Sequence, residues 1–322
     1  MIITTYGTRG SIPVAGHKYA RYGGNTTCLE VESTCLPPHT RLVVDAGSGI
    51  MPLAADAAKQ GAKKVILLLT HYHYDHTQGL LLCPFTYRKD IELSLYGPEE
   101  NRIGPKQMLS HVMRPPFHPV SMAEVSSHMS FMSIAHPAGA VFVVHPEGGI
   151  CLFAISEFER AERREGGQIK FSYGRTYLLQ DCLVIHMYRS NHPERTISYR
   201  FEERPTGKVF VFLTDHENTD STPSAFCDFL KLADLLIMDS QYSREKFEQD
   251  KKSGFGHSTP DFCVGVACEA QVKHLGLTHH DPLSDDAAVD AILAEAQVAA
   301  KHIGYRGQVS ACHDFERFEL IF

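Results

Sequence analysis

The segment that most constrains this chain is the run Val65-Ile66-Leu67-Leu68-Leu69, followed at once by Thr70-His71-Tyr72-His73-Tyr74-Asp75-His76. An unbroken apolar run of this length reads as a strand buried on both faces. The ligand-rich stretch H-x-H-x-D-H then lies just beyond the strand's C-terminal end, where α/β folds hold their ligands. Alternate spacing lets His71 and His73 point to one side of an extended turn. Asp75 and His76, opening the next helix, can face a second ion. A total of 19 histidines makes metal chemistry the first reading of the chain.

Around this segment, short apolar runs alternate with helical patterns from end to end, which argues for a layered α/β architecture. Strands are expected at 2–6, 28–33, 41–45, 65–69, 91–96, 140–144, 150–154, 182–187, 197–202, 208–213, 235–238 and 274–278. Helices are expected at 51–60, 99–111, 156–165, 224–233, 243–251, 260–272 and 285–301. Thr259 before Pro260, and Ser284 before Asp285 and Asp286, are helix-start signals. With no repeat and no low-complexity linker, residues 1–322 read as one domain. The least regular stretch, about 100–181, holds clustered prolines (Pro115, Pro116, Pro119) and methionines (Met122, Met129, Met132) and reads as an insertion or cap.

Composition narrows the function classes. With 43% hydrophobic and 21% charged residues the chain can bury a sizeable core. No apolar run approaches the ~20 residues of a membrane-spanning helix, and residues 1–7 carry no secretory signal, so a cytoplasmic protein is expected. Nine cysteines without a C-x-x-C pair fit neither a disulfide framework nor a cysteine zinc ribbon. A net charge of −7 without a basic block speaks against an extended nucleic-acid surface. The expected partner is a small anionic substrate, with no membrane and with a homodimer left open.

The H-x-H-x-D-H turn resembles that of the metallo-β-lactamase-fold hydrolase superfamily, and other stretches match the family's motifs in order. Leu42-Val43-Val44-Asp45-Ala46-Gly47 matches the first, and there the resemblance implies that Asp45 accepts an imidazole N–H and orients a metal ligand. Asn191-His192-Pro193 is the better match to the third motif; His186, inside an alternating strand, competes. Val209–Asp215 matches the strand that ends on an aspartate bridging two metals. Leu275-Gly276-Leu277-Thr278-His279 matches the last, with His280 adjacent. The resemblance thus implies His71, His73 and His192 on one metal, Asp75, His76 and His279 on the other, and Asp215 between them. It spans 1–100 and 182–311. It also implies a four-layer αβ/βα sandwich, two mixed β-sheets flanked by helices.

Gly256-His257-Ser258-Thr259 resembles the element found in the tRNA 3′-processing endonuclease and its phosphodiesterase relatives. At a helix N-terminus, His257 could meet a phosphate oxygen or protonate a leaving alkoxide, with Asp75 and Asp215 as the catalytic carboxylates. Asp239 ends a strand and could orient a histidine. The Gly7–Ser11 and Arg21–Thr27 loops could cradle an anion, with Arg9 and Asn25 as substrate contacts. The implied enzyme is a hydrolase with two divalent ions, zinc first, manganese or iron acceptable. It would cleave a small phosphodiester, such as a cyclic nucleotide or cyclic dinucleotide, by attack of a hydroxide bridging the ions. The alternatives are a lactonase or thioesterase and a tRNA 3′-end endonuclease. A flavodiiron-type redox protein is disfavoured by His73, where those proteins carry Glu.

Overall fold

A computed structural model describes residues 1–164, 166–172 and 174–320. The chain first lays down β1 (Ile2–Gly7), β2 (Cys28–Glu32), β3 (Thr40–Val44), β4 (Lys64–Leu68), β5 (Glu92–Pro98) and β6 (Met129–Ile134). It then crosses to a second sheet through β7 (Ala140–His145) and β8 (Gly149–Ala154), and makes the small ribbon β9 (Gln168–Lys170) and β10 (Thr176–Leu178). The second sheet continues with β11 (Leu183–Arg189), β12 (Ile197–Glu203), β13 (Lys208–Leu213), β14 (Leu235–Asp239), β15 (His274–Thr278) and β16 (Gln308–Ala311). Finally β17 (Glu316–Glu319) returns to the first sheet beside β1.

Among the described residues the strand orders are β17-β1-β2-β3-β4-β5-β6 and β16-β15-β14-β13-β12-β11-β7-β8. In the first sheet β3 to β6 run parallel, and in the second β13 to β16 do. Each sheet is therefore mixed, with its parallel half delivering strand C-termini to one edge.

The strands are apolar on both faces because both faces are covered. Leu42, Val44, Ile66 and Leu68 meet Phe142, Ile185, Phe201, Phe210 and Phe212 in the core between the sheets. The intervening Val43, Val65, Leu67 and Leu69 pack outward with Ile50, Leu53, Ala54 and Ala57 of the helix Ile50–Lys59. On the other side Val211, Leu236, Met238 and Leu275 pack with the helices Ser224–Leu230, Pro260–Glu269 and Asp286–Ile303. The result is the expected four-layer sandwich.

Several boundaries differ from the sequence reading. The helix expected over 99–111 begins only at Pro105, whose fixed φ and missing N–H suit a first helical position. Asp285 rather than Ser284 caps the last long helix, its Oδ1 accepting from the Ala288 amide at 3.0 Å. Thr259 stands at its helix start but receives the Asn218 amide instead of capping. Glu165, at the end of an expected helix, lies outside the described residues. The stretch 100–181 supplies β6 to one sheet and β7 and β8 to the other. Among the described residues no helix is long and apolar enough to cross a membrane.

Phe210 is fully buried between the sheets and stacks on Phe201 with ring centroids 5.5 Å apart. Phe210→Ala is expected to cost about 3–5 kcal/mol, the range for truncating a core aromatic, measured as a shift in the urea unfolding midpoint.

Candidate metal centre

The chemistry-bearing side chains sit on turns that leave strand ends. His71 follows β4, Asp45 follows β3, Asp215 follows β13, and His279 follows β15. Asp45, Asp215 and His279 share a backbone device: their φ angles are 60°, 44° and 60°. A left-handed residue turns the chain sharply at the strand end, and for a side chain other than Gly, Asn or Asp it carries strain.

The histidines and carboxylates predicted from separate motifs converge. Ligand atoms of His71, His73, His192 and Asp215 all lie within 4.8 Å of one another, and so do those of Asp75, His76 and His279. Asp215 joins the two groups. Its Oδ2 is 3.5 Å from His71 Nε2 and 3.8 Å from His192 Nε2, while its Oδ1 is 3.3 Å from His76 Nε2 and 3.4 Å from His279 Nε2. Asp75 Oδ2 is 3.0 Å from His279 Nε2 and accepts from the Ser11 amide at 2.7 Å. His73 is the exposed member, with Nε2 3.1 Å from Glu194.

Around these groups a buried network fixes ring orientation. Asp45 accepts from the amide and hydroxyl of Thr70, each at 2.8 Å, and lies 2.7 Å from His76 Nδ1. Thr196 Oγ1 lies 3.0 Å from His192 Nδ1, and Thr70 Oγ1 lies 3.0 Å from His71 Nδ1. Each contact engages Nδ1 and leaves Nε2 facing the cluster. His257 belongs to the same neighbourhood: its Nδ1 is 2.9 Å from Asp239 Oδ2, and its ring stacks 4.9 Å from that of His279.

The two groups differ electrostatically. Burial, then His76, pushes His71 well below an ordinary imidazole pKa, and burial lowers His192. For His76, burial works against the proton but Asp75, Asp215 and Asp45 outweigh it and raise the pKa. The same contest raises His279 to about 9, with Asp215 and then the hydrogen bond to Asp75 as the opposing causes. Burial opposes ionisation of Asp75 and Asp215, yet neighbouring imidazoles hold both below the carboxylate range. His71 and His192 thus favour the neutral imidazole, whereas His76 and His279 favour holding a proton between the carboxylates.

Other expected residues take different roles. His280 points away and bonds Cys312 O at 2.8 Å, so His279 is the one brought to the cluster. His186 lies in β11 beside Glu202. Arg9 corrects an expectation: it is fully buried, with Nε donating to Gly23 O and Nη1 to Asp281 O and Ser284 O. A guanidinium spent on backbone carbonyls holds loops together and is closed to substrate. Asn25 is half-buried, and its Oδ1 accepts from Ser48 Oγ at 3.2 Å.

Sequence reasoning missed Glu194, Thr70, Thr196 and the Ser11 amide. Glu194 stood two residues after His192 as a visible acid, but only the turn brings it to His73. It also missed why two glycines are needed. A Cβ at Gly10 would lie 2.4 Å from His279 Nδ1, and one at Gly256 would lie 2.1 Å from His192 Cδ2.

No protein-family model matches the chain. Ribonuclease Z of Halobacterium salinarum is 28% identical over 275 residues, covering 80% of this chain and 80% of that protein. The short form of human tRNase Z superposes with a TM-score of 0.56 at 16% identity, covering 100% of both chains. The metallo-β-lactamase-fold protein YhfI from Bacillus subtilis superposes with a TM-score of 0.62 at 18% identity, covering 99% of both chains. The chain has the metallo-β-lactamase fold. In this setting of the metallo-β-lactamase fold, the H-x-H-x-D-H turn and the ends of β13 and β15 occupy one edge of the sandwich.

Gly256 adopts φ +88° as well as crowding His192. Gly256→Ala is expected to destabilise the protein by about 1–3 kcal/mol through strain and clash and to displace the His192 ring. Thermal unfolding and the histidine ring resonances in NMR check both effects.

Proposed function

We propose that the chain is a metal-dependent phosphodiesterase that holds two divalent ions and cleaves a small phosphodiester, such as a cyclic nucleotide or cyclic dinucleotide. Zinc suits an imidazole and carboxylate set, and manganese or iron is chemically acceptable. The carrying observation is the convergence of the two ligand groups on Asp215, with Nε2 of His71 and His192 and Oδ2 of Asp215 buried and unpaired. Buried lone pairs without donors fit cation ligands. His71, His73 and His192 would hold one ion, Asp75, His76 and His279 the other, and Asp215 both. When bound, the ions supply charge against phosphoryl oxygens and a water of lowered pKa.

The chain's own groups do the rest. Asp45 keeps His76 in the tautomer that presents Nε2 to the cluster. Ser11 and His279 fix the Asp75 carboxylate. His257, its Nδ1 engaged by Asp239, has Nε2 left to bind a phosphoryl oxygen or hand a proton to the leaving alkoxide. A lactonase or thioesterase has no comparable need for that group. The match to ribonuclease Z over 80% of the chain favours tRNA 3′-end cleavage as a second reading. Net charge −7 and the lack of a basic Gly/Pro-rich arm in the sequence favour the smaller substrate. Assays of the Mn²⁺- and Zn²⁺-loaded protein on bis-p-nitrophenyl phosphate, cyclic dinucleotides, precursor tRNA and a lactone separate the readings. Turnover of the lactone alone would overturn this one.

Ions must displace the protons that Asp75 and Asp215 hold on His76 and His279. With His279 at about 9, it is protonated at pH 7 in the metal-free protein. Metal titration at pH 7 is therefore expected to release protons, and affinity to weaken as pH falls. Asp215→Asn is expected to reduce binding of both ions and lower kcat by at least a hundredfold. Elemental analysis and a weakly buffered titration check this; near-normal loading would defeat the shared-ligand assignment.

His257→Ala is expected to lower kcat on phosphodiesters by about 10²–10⁴, the range for a general acid, with metal content intact. Because ligand atoms of His257, Asp215 and His279 also lie within 4.8 Å of one another, loss of metal in this variant would make His257 a ligand instead.

A further inference from the structure

Two cavities share Arg189 at the end of β11. One, of 220 Å³, is lined by Pro98, Ile134, His136, Arg189, Arg195 and Thr196 among others. The second, of 350 Å³, includes Tyr188, Arg189, Asn191, His192, His216 and Phe226. Among the described residues neither lining contains a carboxylate. On a chain of net charge −7, two adjacent acid-free cavities lined by two arginines are a local reversal of sign.

The cationic groups are not equivalent. Arg195 is committed, its Nη1 donating to Glu99 O at 3.1 Å and Ala135 O at 3.4 Å. His216 is stacked on Phe226, and burial pushes its pKa down to about 3, so it is neutral. Arg189 is exposed at the end of β11 and lines both cavities. Among the described residues its guanidinium makes no hydrogen bond or ion pair. Thr196, which lines the smaller cavity, lies 3.0 Å from Nδ1 of the His192 ring, and His192 itself lines the larger one. A free guanidinium that shares a cavity with His192, with a planar fork of donors, suits a phosphate in bidentate contact.

We propose that Arg189 receives a second phosphate of the substrate, one that is not cleaved. It thereby selects nucleotides carrying two phosphate groups over simple phosphodiesters. This rests on the phosphodiesterase reading and adds a specificity residue to it. The apolar wall of the smaller cavity, with Pro98 and Ile134, would shelter the nucleoside next to that phosphate, while His192 marks the end at which cleavage occurs.

The test is calorimetric titration of the Mn²⁺-loaded protein with thymidine 3′,5′-bisphosphate and with thymidine 5′-monophosphate. The wild-type protein is expected to bind the bisphosphate at least tenfold more tightly. In Arg189→Gln that ratio falls towards one, and Arg189→Lys, which keeps charge but loses the fork, restores part of it. Arg163→Gln, an exposed arginine paired with Glu159 on a helix, controls for loss of charge and keeps the ratio. An unchanged ratio in Arg189→Gln, or no preference in the wild-type protein, overturns the proposal. Hydrolysis of bis-p-nitrophenyl phosphate by the same samples keeps the two ideas apart. Hydrolysis without an Arg189-dependent ratio defeats the second-phosphate seat alone, and an Arg189-dependent ratio without hydrolysis upholds the seat while defeating the phosphodiesterase reading.

Discussion

Burial of three carboxylates in one place is the constraint around which this molecule is organised. Asp45, Asp75 and Asp215 are 0%, 4% and 1% exposed, and a carboxylate removed from water is costly unless partnered by charge and hydrogen bonds. The partners here are mainly imidazoles, joined by the amides of Thr70 and Ser11 and the hydroxyls of Thr70 and Thr214. Asp45 is the most completely satisfied, with Thr70 gripping it through backbone and side chain while His76 closes the third side. Asp215 is the least, since one oxygen has no hydrogen-bond donor. That contrast separates a carboxylate held by its neighbours from one with an oxygen to spare.

Meeting this constraint requires chain segments far apart in sequence to arrive with sub-ångström agreement, and the sandwich provides it. Parallel strands end at a common edge, and with two sheets face to face the edge of each carries its share of the cluster. The sheets are held in register by aromatic packing between them and by devices such as the Arg9 guanidinium. That group ties the turn after β1 to the loop before the last long helix.

Much of this was legible in the sequence, and the exceptions have physical causes. Buried strands such as Val65–Leu69 announce themselves because both faces are covered and no polar residue interrupts them. The clustered histidines are legible because His71, His73, Asp75 and His76 crowd into one turn and because His192, Asp215 and His279 each follow or end an apolar run. β6, read as irregular, is an edge strand with mostly exposed or half-buried side chains, so its Met-Ser-Phe-Met-Ser-Ile pattern carries no burial signal. β16 and β17 are short, and the pairing that stabilises β17 comes from β1, more than three hundred residues away. Arg9 illustrates the opposite error. A glycine-flanked arginine after a strand looks like an anion cradle, and sequence does not report that its guanidinium lies wholly inside.

The left-handed residues that end β3, β13 and β15 also bear on how such a site can change over generations. At Asp45 and Asp215 the replacements that keep the backbone unstrained are Asn and Gly, while other side chains each add roughly 1–2 kcal/mol at that φ. Mutational drift at these positions is thereby funnelled: it runs through small polar or glycine residues that preserve the turn. A descendant that lost this cluster would keep the strand-end geometry as a fossil of the site long after the carboxylates had gone.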